Sequence, residues 1–358
     1  MPRIEKVEAS AFEIPTEQPE SDGTLEWQKT TLVVAEVTAG GKRGLGYTYA
    51  NPATARFIKD ELAGVVTGLE ALDIPCAWEA MRHAIRNFGA QSMVAMGRSA
   101  VDAALWDLKG KLLDVSIARL LGCARERVPV YGSGGFTSYT PEKLAEQLGG
   151  WVLEGMRRVK MKVGRVLAED AARVELARTA IGPEVELFVD ANGAYSRKQA
   201  LAMAETFAAF EVTWFEEPVS SDDLEALRFL REQAPMDIAA GEYGYDLSYF
   251  QRLIPAVDIL QADATRCCGI TGFLQVAALC EAAQISLSAH CAPALHLHVA
   301  CALPRFAHIE WFHDHTRIER MLFDGIRTPE RGMVAPDLSR PGFGIELKRQ
   351  DAEDYRIC

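Results

Sequence analysis

The chain has 358 residues, 49% of them hydrophobic and 25% charged, which suits a soluble globular protein of one large or two modest domains. Its formal charge of -12 argues against nucleic acid or an anionic membrane as a partner. No apolar run approaches the about 20 residues of a membrane span, and the start, Met1-Pro2-Arg3-Ile4-Glu5-Lys6, lacks the apolar core of a signal peptide.

Ile4–Ile14 and Thr31–Val37 read as antiparallel strands, separated by a polar loop from Thr16 to Gly23. A loop of that length and polarity is disordered or functional, such as a lid. Gly40–Gly44 reads as a turn, and after Pro52 the pattern becomes helical, most clearly over Ser99–Leu113, where Val101, Ala104, Leu105, Leu108 and Leu112 share a stripe. Gly122 closes the next helical stretch. Residues 1–125 therefore read as an α+β unit. From Val128 short apolar strands alternate with helices. Eight strands are expected near Val128–Tyr131, Val159–Val163, Leu187–Asp190, Trp214–Glu216, Ile238–Gly241, Ile259–Ala262, Ser286–Ala289 and Ile309–Phe312. That rhythm predicts a closed parallel barrel over residues 126–325. An open doubly wound sheet would want a G-x-G-x-x-G loop, which Tyr131-Gly132-Ser133-Gly134-Gly135 does not supply. Residues 326–358, rich in Pro and Gly, read as an irregular return path. The eight cysteines are scattered without a C-x-x-C spacing, with only Cys267 and Cys268 adjacent. They read as buried small hydrophobes in a reducing compartment, the cytoplasm by default.

In a βα barrel, functional residues sit where strands end. Here those positions carry Lys160 and Lys162, Asp190, Glu216, Glu242, Asp263, His290 and Glu310. Each follows an apolar run, and buried charges need partners. Lys160 and Lys162 share one strand face, so each charge disfavours the other and one amine should lose its proton easily. Asp190, Glu216 and Glu242 are equally spaced along the chain, as neighbouring barrel strands would place them. Three converging carboxylates require a cation, and an all-oxygen set suits Mg²⁺ better than zinc. Glu217 should point the other way and play a supporting part. Asp263 and His290 fall on adjacent strands, where the carboxylate would fix one imidazole tautomer. His296, His298, His308, His313 and His315 read as structural or peripheral.

With these residues in place the chain resembles the enolase superfamily, in particular its mandelate racemase-like subgroup. The resemblance covers nearly the whole length, including Ala100–Lys111 and the tail Pro341-Gly342-Phe343-Gly344-Ile345. It implies a (β/α)7β TIM-like barrel with an N-terminal α+β capping domain completed by the C-terminal tail. It also implies loops near Pro15–Gln28 and Tyr47–Ala53 closing over the site. It assigns the base role to Lys162 within a K-x-K pair, and the metal ligands to Asp190, Glu216 and Glu242. The opposing dyad is His290 with Asp263, the acid contacting the substrate carboxylate is Glu310, and the amide contacting its α-hydroxyl is Asn192. Cys268-Gly269 stands where a glycine pair is often seen. A symmetric homo-oligomer is implied as well.

The expected activity is Mg²⁺-dependent abstraction of the α-proton of a small-molecule hydroxycarboxylate. Dehydration of a sugar acid to a 2-keto-3-deoxy acid leads, because the resemblance is to a subgroup made up mostly of acid-sugar dehydratases, and the polar stretch with Glu17, Gln18, Glu20, Ser21 and Asp22 suits a polyol better than an aryl group. Racemisation of a 2-hydroxy acid and cycloisomerisation of a sugar lactone stay open, as does a barrel kept for binding alone.

Overall fold

Alternating apolar residues carry the amino-terminal segment into a sheet longer than the sequence pattern suggests. In the computed structural model, which describes residues 2–358, β1 (Lys6–Ser21), β2 (Glu26–Ala39) and β3 (Lys42–Tyr49) form an antiparallel sheet in that order. The polar loop expected at Thr16–Gly23 is corrected: β1 runs on to Ser21, with a register shift between Pro15 and Glu20. The reason is local satisfaction of polar groups. Glu20 accepts the Trp27 indole N–H at 3.0 Å, the Ser21 and Thr137 hydroxyls meet at 2.6 Å, and Asp22 Oδ1 accepts the N–H groups of Thr24 and Leu25. Residues that look solvated in sequence are thus buried, Glu20 to 1% exposure.

The long helix Met93–Leu112 lies across this sheet, burying Val101, Ala104, Leu105 and Leu108 against Val33, Ala35 and Val37. The approach is close enough to need glycine. A Cβ on Gly46 would stand 2.1 Å from the Ala100 carbonyl oxygen. Asp107 on the same helix is buried and accepts the N–H groups of Leu45 and Phe343 at 2.8 and 2.7 Å and the Lys111 ammonium at 2.8 Å. It therefore ties the cap sheet to the returning tail. The chain end pairs with β1 through Ala11 and Ile357, and Met333–Val334 pairs antiparallel with the first barrel strand.

Among the described residues, eight parallel strands close a barrel. They are β4 (Val128–Gly134), β5 (Arg158–Lys162), β6 (Glu186–Asp190), β7 (Val212–Glu216), β8 (Asp237–Ala240), β9 (Ile259–Ala262), β10 (Ser286–Ala289) and β11 (Phe306–Phe312), with β11 pairing back to β4. The expected barrel with its α+β cap is the architecture the chain adopts. Apolar residues on the outer strand faces pack under the helices, while Tyr131, Phe188, Trp214 and Ala239 fill the interior below the strand ends. That plug gives the site a dry floor. No described helix is long and apolar enough to cross a membrane.

Candidate active site

Parallel register sets the first row of the site. Lys162 on β5 pairs with Asp190 on β6, and Asp190 with Glu216 on β7, so three ionisable residues stand side by side at the strand ends. Glu242 follows β8 by two residues. Ligand oxygens of Asp190, Glu216 and Glu242 lie within 4.8 Å of one another, and all three side chains are buried. Among the described residues two clusters could hold a cation, and this one offers oxygen alone. An all-oxygen set of three carboxylates fits a hard divalent ion. Asn192, held in a left-handed conformation at φ 46°, donates its N–H to Asp190 at 2.9 Å. Its side-chain oxygen is buried and has no partner within the protein, so it remains available to a ligand.

The lysines complete this group. Lys160 Nζ lies 2.6 Å from Glu216, 2.8 Å from Glu310 and 3.5 Å from Asp190, while Lys162 Nζ lies 2.5 Å from Asp190. Burial lowers both amines, but attraction to Glu216 and Glu310 for Lys160, and to Asp190 for Lys162, outweighs it. Both amines are raised, opposite in direction to the expected easily lost proton: the carboxylates around the pair exceed its own repulsion, and a cation held by those carboxylates would offset that attraction. Glu216 answers the same environment in the opposite sense. Burial pushes it up to about 8 despite Lys160. Its second oxygen accepts the Trp214 indole at 3.0 Å and the Gln261 amide at 3.3 Å.

The far side is built by β9, β10 and β11. Asp263 Oδ2 lies 2.8 Å from His290 Nδ1, leaving Nε2 facing inward, 3.1 Å from Glu242. Burial would raise Asp263, but the hydrogen bond and charge of His290 hold it down at about 2. Burial would lower His290, and Cys291, Glu242 and Asp263 raise it well above its usual value. Glu310 accepts the Ser133 hydroxyl at 2.6 Å and the Cys291 N–H at 2.9 Å. Burial would raise it, yet Lys160, His290 and Lys162 draw it below the usual carboxylate range. Donating to a substrate carboxylate requires a proton on Glu310, which this arrangement withholds.

Every site residue expected from the sequence converges here. Four neighbours went unforeseen. Arg266 reaches the Glu242 carbonyl at 3.1 Å and its carboxylate at 3.5 Å. Ser133 and Gln261 are inward-facing strand positions that alternation could have exposed, and Cys291 depends on a turn the sequence does not reveal. Glu217, expected in a supporting part, is next to Glu216 in the chain. It leaves the strand at φ 38°, stays buried with one unpartnered oxygen, and burial plus the charge of Glu242 raise it strongly. Of the other histidines, His296 accepts the Ala264 N–H at 2.9 Å and so braces the loop behind Asp263. His315 stacks on Tyr49 with ring centres 3.4 Å apart, at the seam between cap and barrel.

The polar stretch expected as a lid lies at the tip of the β1–β2 hairpin. The Ser21 carbonyl accepts the Thr137 N–H and the Pro19 carbonyl accepts the Ser138 hydroxyl, docking the tip on the loop after β4. At Gly23 an added Cβ would lie 2.4 Å from the Ala191 oxygen and 2.8 Å from that of Val163, directly beyond the ends of β6 and β5. Trp27, Phe136, Tyr139, Cys291 and Phe312 form an apolar wall beside it.

A closed parallel barrel with three carboxylates meeting at its strand ends, roofed by an α+β cap, is the architecture of the enolase superfamily. The chain belongs to that superfamily: residues 143–352 match the enolase C-terminal domain-like family, and residues 7–122 match the mandelate racemase / muconate lactonizing enzyme N-terminal domain. It is 31% identical to a 3,6-anhydro-alpha-L-galactonate cycloisomerase of Streptomyces coelicolor, over 96% of this chain and 97% of that protein. A solved mandelate racemase/muconate lactonizing enzyme-like protein from Rubrobacter xylanophilus superposes with a TM-score of 0.98 at 53% identity, covering 99% of this chain and all (100%) of that one. L-talarate/galactarate dehydratase from Salmonella typhimurium, solved with Mg and L-lyxarohydroxamate, superposes with a TM-score of 0.92 at 28% identity, over 100% of this chain and 93% of that one.

Proposed function

We propose that this protein is a Mg²⁺-dependent dehydratase that converts a sugar acid to its 2-keto-3-deoxy acid by first removing the proton α to the carboxylate. The observation that carries the reading is the placement of three buried carboxylates between Lys162 on one side and the Asp263–His290 pair on the other. Asp190, Glu216 and Glu242 would hold Mg²⁺, which supplies positive charge against the negative charge that develops on the substrate carboxylate.

The remaining chemistry belongs to the chain. Asn192 is aimed to hydrogen-bond the α-hydroxyl through its unpartnered oxygen. One of the two bases takes the α-proton, and the C–H electrons pass into an enediolate of the substrate. His290, oriented by Asp263, then gives a proton to the β-hydroxyl as the C–O bond breaks and water leaves. The resulting enol becomes the 2-keto acid. Lys160, bonded to Glu216 and Glu310, offers its charge to the substrate carboxylate, and Glu310, drawn up by the negative charge of that carboxylate, takes a proton from solvent and donates it there. The buried Tyr131–Trp214 floor and the docked hairpin exclude water.

A second reading has its own support. Two bases on opposite sides also suit racemisation or lactone cycloisomerisation, and a relative 31% identical is named as a cycloisomerase. A semicarbazide assay for keto acids across a library of aldonic and aldaric acids separates these. Keto acid from at least one member is expected. Epimer or lactone products without any keto acid would replace the dehydratase reading with the second one.

A further inference from the structure

We propose that His290, Cys291 and Glu310 form a second, thiophilic cation site beside the all-oxygen one, which takes ions of the Zn²⁺ class. Their ligand atoms are mutually close: Cys291 Sγ lies 3.3 Å from His290 Nε2 and 3.4 Å from Glu310 Oε2, and those two are 3.8 Å apart. A tetrahedral zinc with bonds of about 2.0–2.3 Å spaces its ligands by roughly 3.3–3.6 Å. The triangle is nearly preformed.

Its orientation is built by the backbone. Adjacent residues on an extended chain face opposite sides. Here Cys291 and Ala292 take left-handed conformations at φ 51° and 41°. That turn brings the thiol back against the imidazole of the preceding residue. Behind the ligands the supports are those of a metal site. Asp263 engages Nδ1 of His290, turning Nε2 toward the thiol and Glu310, and Ser133 and Lys160 hold the other oxygen of Glu310.

Sulfur and imidazole select against Mg²⁺ and for softer ions, so the two neighbouring sites differ in the ion they prefer. On binding, the Cys291 S–H and His290 Nε2–H bonds break, both protons leave to solvent, and the sulfur and Nε2 form metal bonds; no oxidant is involved. Occupation also ties up Nε2 of His290. Thiophilic ions therefore inhibit a reaction run with Mg²⁺, a consequence that rests on the role proposed for His290 above.

Co²⁺ titration of the full-length protein in saturating Mg²⁺ tests the site without substrate, by the sulfur-to-cobalt charge-transfer absorption. The wild type should show that band, Zn²⁺ should displace it, and C291S should bind Co²⁺ at least tenfold more weakly without the band. Glu216→Gln should keep the band, because Glu216 belongs to the other site. A band that persists in C291S, or none in the wild type, overturns the proposal. If C291S does not fold, His290→Asn and Glu310→Gln must show the same tenfold weakening. Zn²⁺ inhibition of wild type and C291S, each against its own activity, forms a separate arm: equal inhibition of the two overturns the inhibitory consequence.

Discussion

Asp263 and His290, carried by adjacent strands, meet at 2.8 Å through Oδ2 and Nδ1. The bond fixes which imidazole nitrogen faces the substrate, since Nδ1–H is committed to the carboxylate. Asp263→Asn keeps the shape but favours the wrong tautomer. Turnover should fall on the order of 10²–10⁴-fold, while calorimetric Mg²⁺ binding stays near the wild-type value. A variant within a few-fold of wild type in turnover would show that Asp263 is a structural partner only.

The metal set gives the second expectation. In chelator-treated protein, Glu216→Gln and Glu242→Gln should each weaken calorimetric Mg²⁺ binding at least tenfold, because each removes one of three anionic ligands. Undiminished binding in both would put the ion elsewhere.

Gly23 sits where the lid touches the barrel, with room for no Cβ against Ala191 and Val163. Gly23→Ala should displace the hairpin tip, raise KM and lower kcat together, and leave the melting temperature within a few degrees. Wild-type kinetics in this variant would mean that the tip does not close the site.

The cap offers a test of stability. Asp107 joins β3, the long helix and the tail, so Asp107→Ala should cost about 2–4 kcal/mol in denaturant unfolding by stranding two buried N–H groups and leaving Lys111 with Glu346 as its one carboxylate partner. Glu319, bonded to Tyr47 and Ala294, is raised from its usual 4.5 to about 8 by burial, against those hydrogen bonds and Arg320. The folded state then keeps a proton that the unfolded chain releases, so stability declines as pH rises from about 4.5 to 8. Glu319→Gln should flatten that decline; an unchanged slope would assign it to other groups.

Much of this was legible before any coordinates. Strand period and βα rhythm located the barrel, because burial on both strand faces leaves an apolar run that an ionisable residue ends abruptly, as at Asp190, Glu216 and Asp263. Spacing then placed the carboxylates together. The lid was misread for a physical reason. Glu20, Ser21 and Asp22 look solvated, but Glu20 is satisfied by Trp27 across the hairpin, Ser21 by Thr137 far away in sequence, and Asp22 by a local turn. Lysine charge was misjudged similarly, since pairwise repulsion along β5 is visible in sequence and attraction across the barrel is not. Cys291 joined the site only through a left-handed turn that no residue pattern announces.

The central claim is that Lys162 and His290 reach the same α-carbon from opposite sides. Its most direct test is solvent-deuterium exchange of the α-proton, followed by NMR on a substrate and its C2 epimer. The account predicts that His290→Asn retains exchange on one epimer only and Lys162→Ala on the other only. Loss of exchange on the same epimer in both variants, with retention on the other, would contradict it.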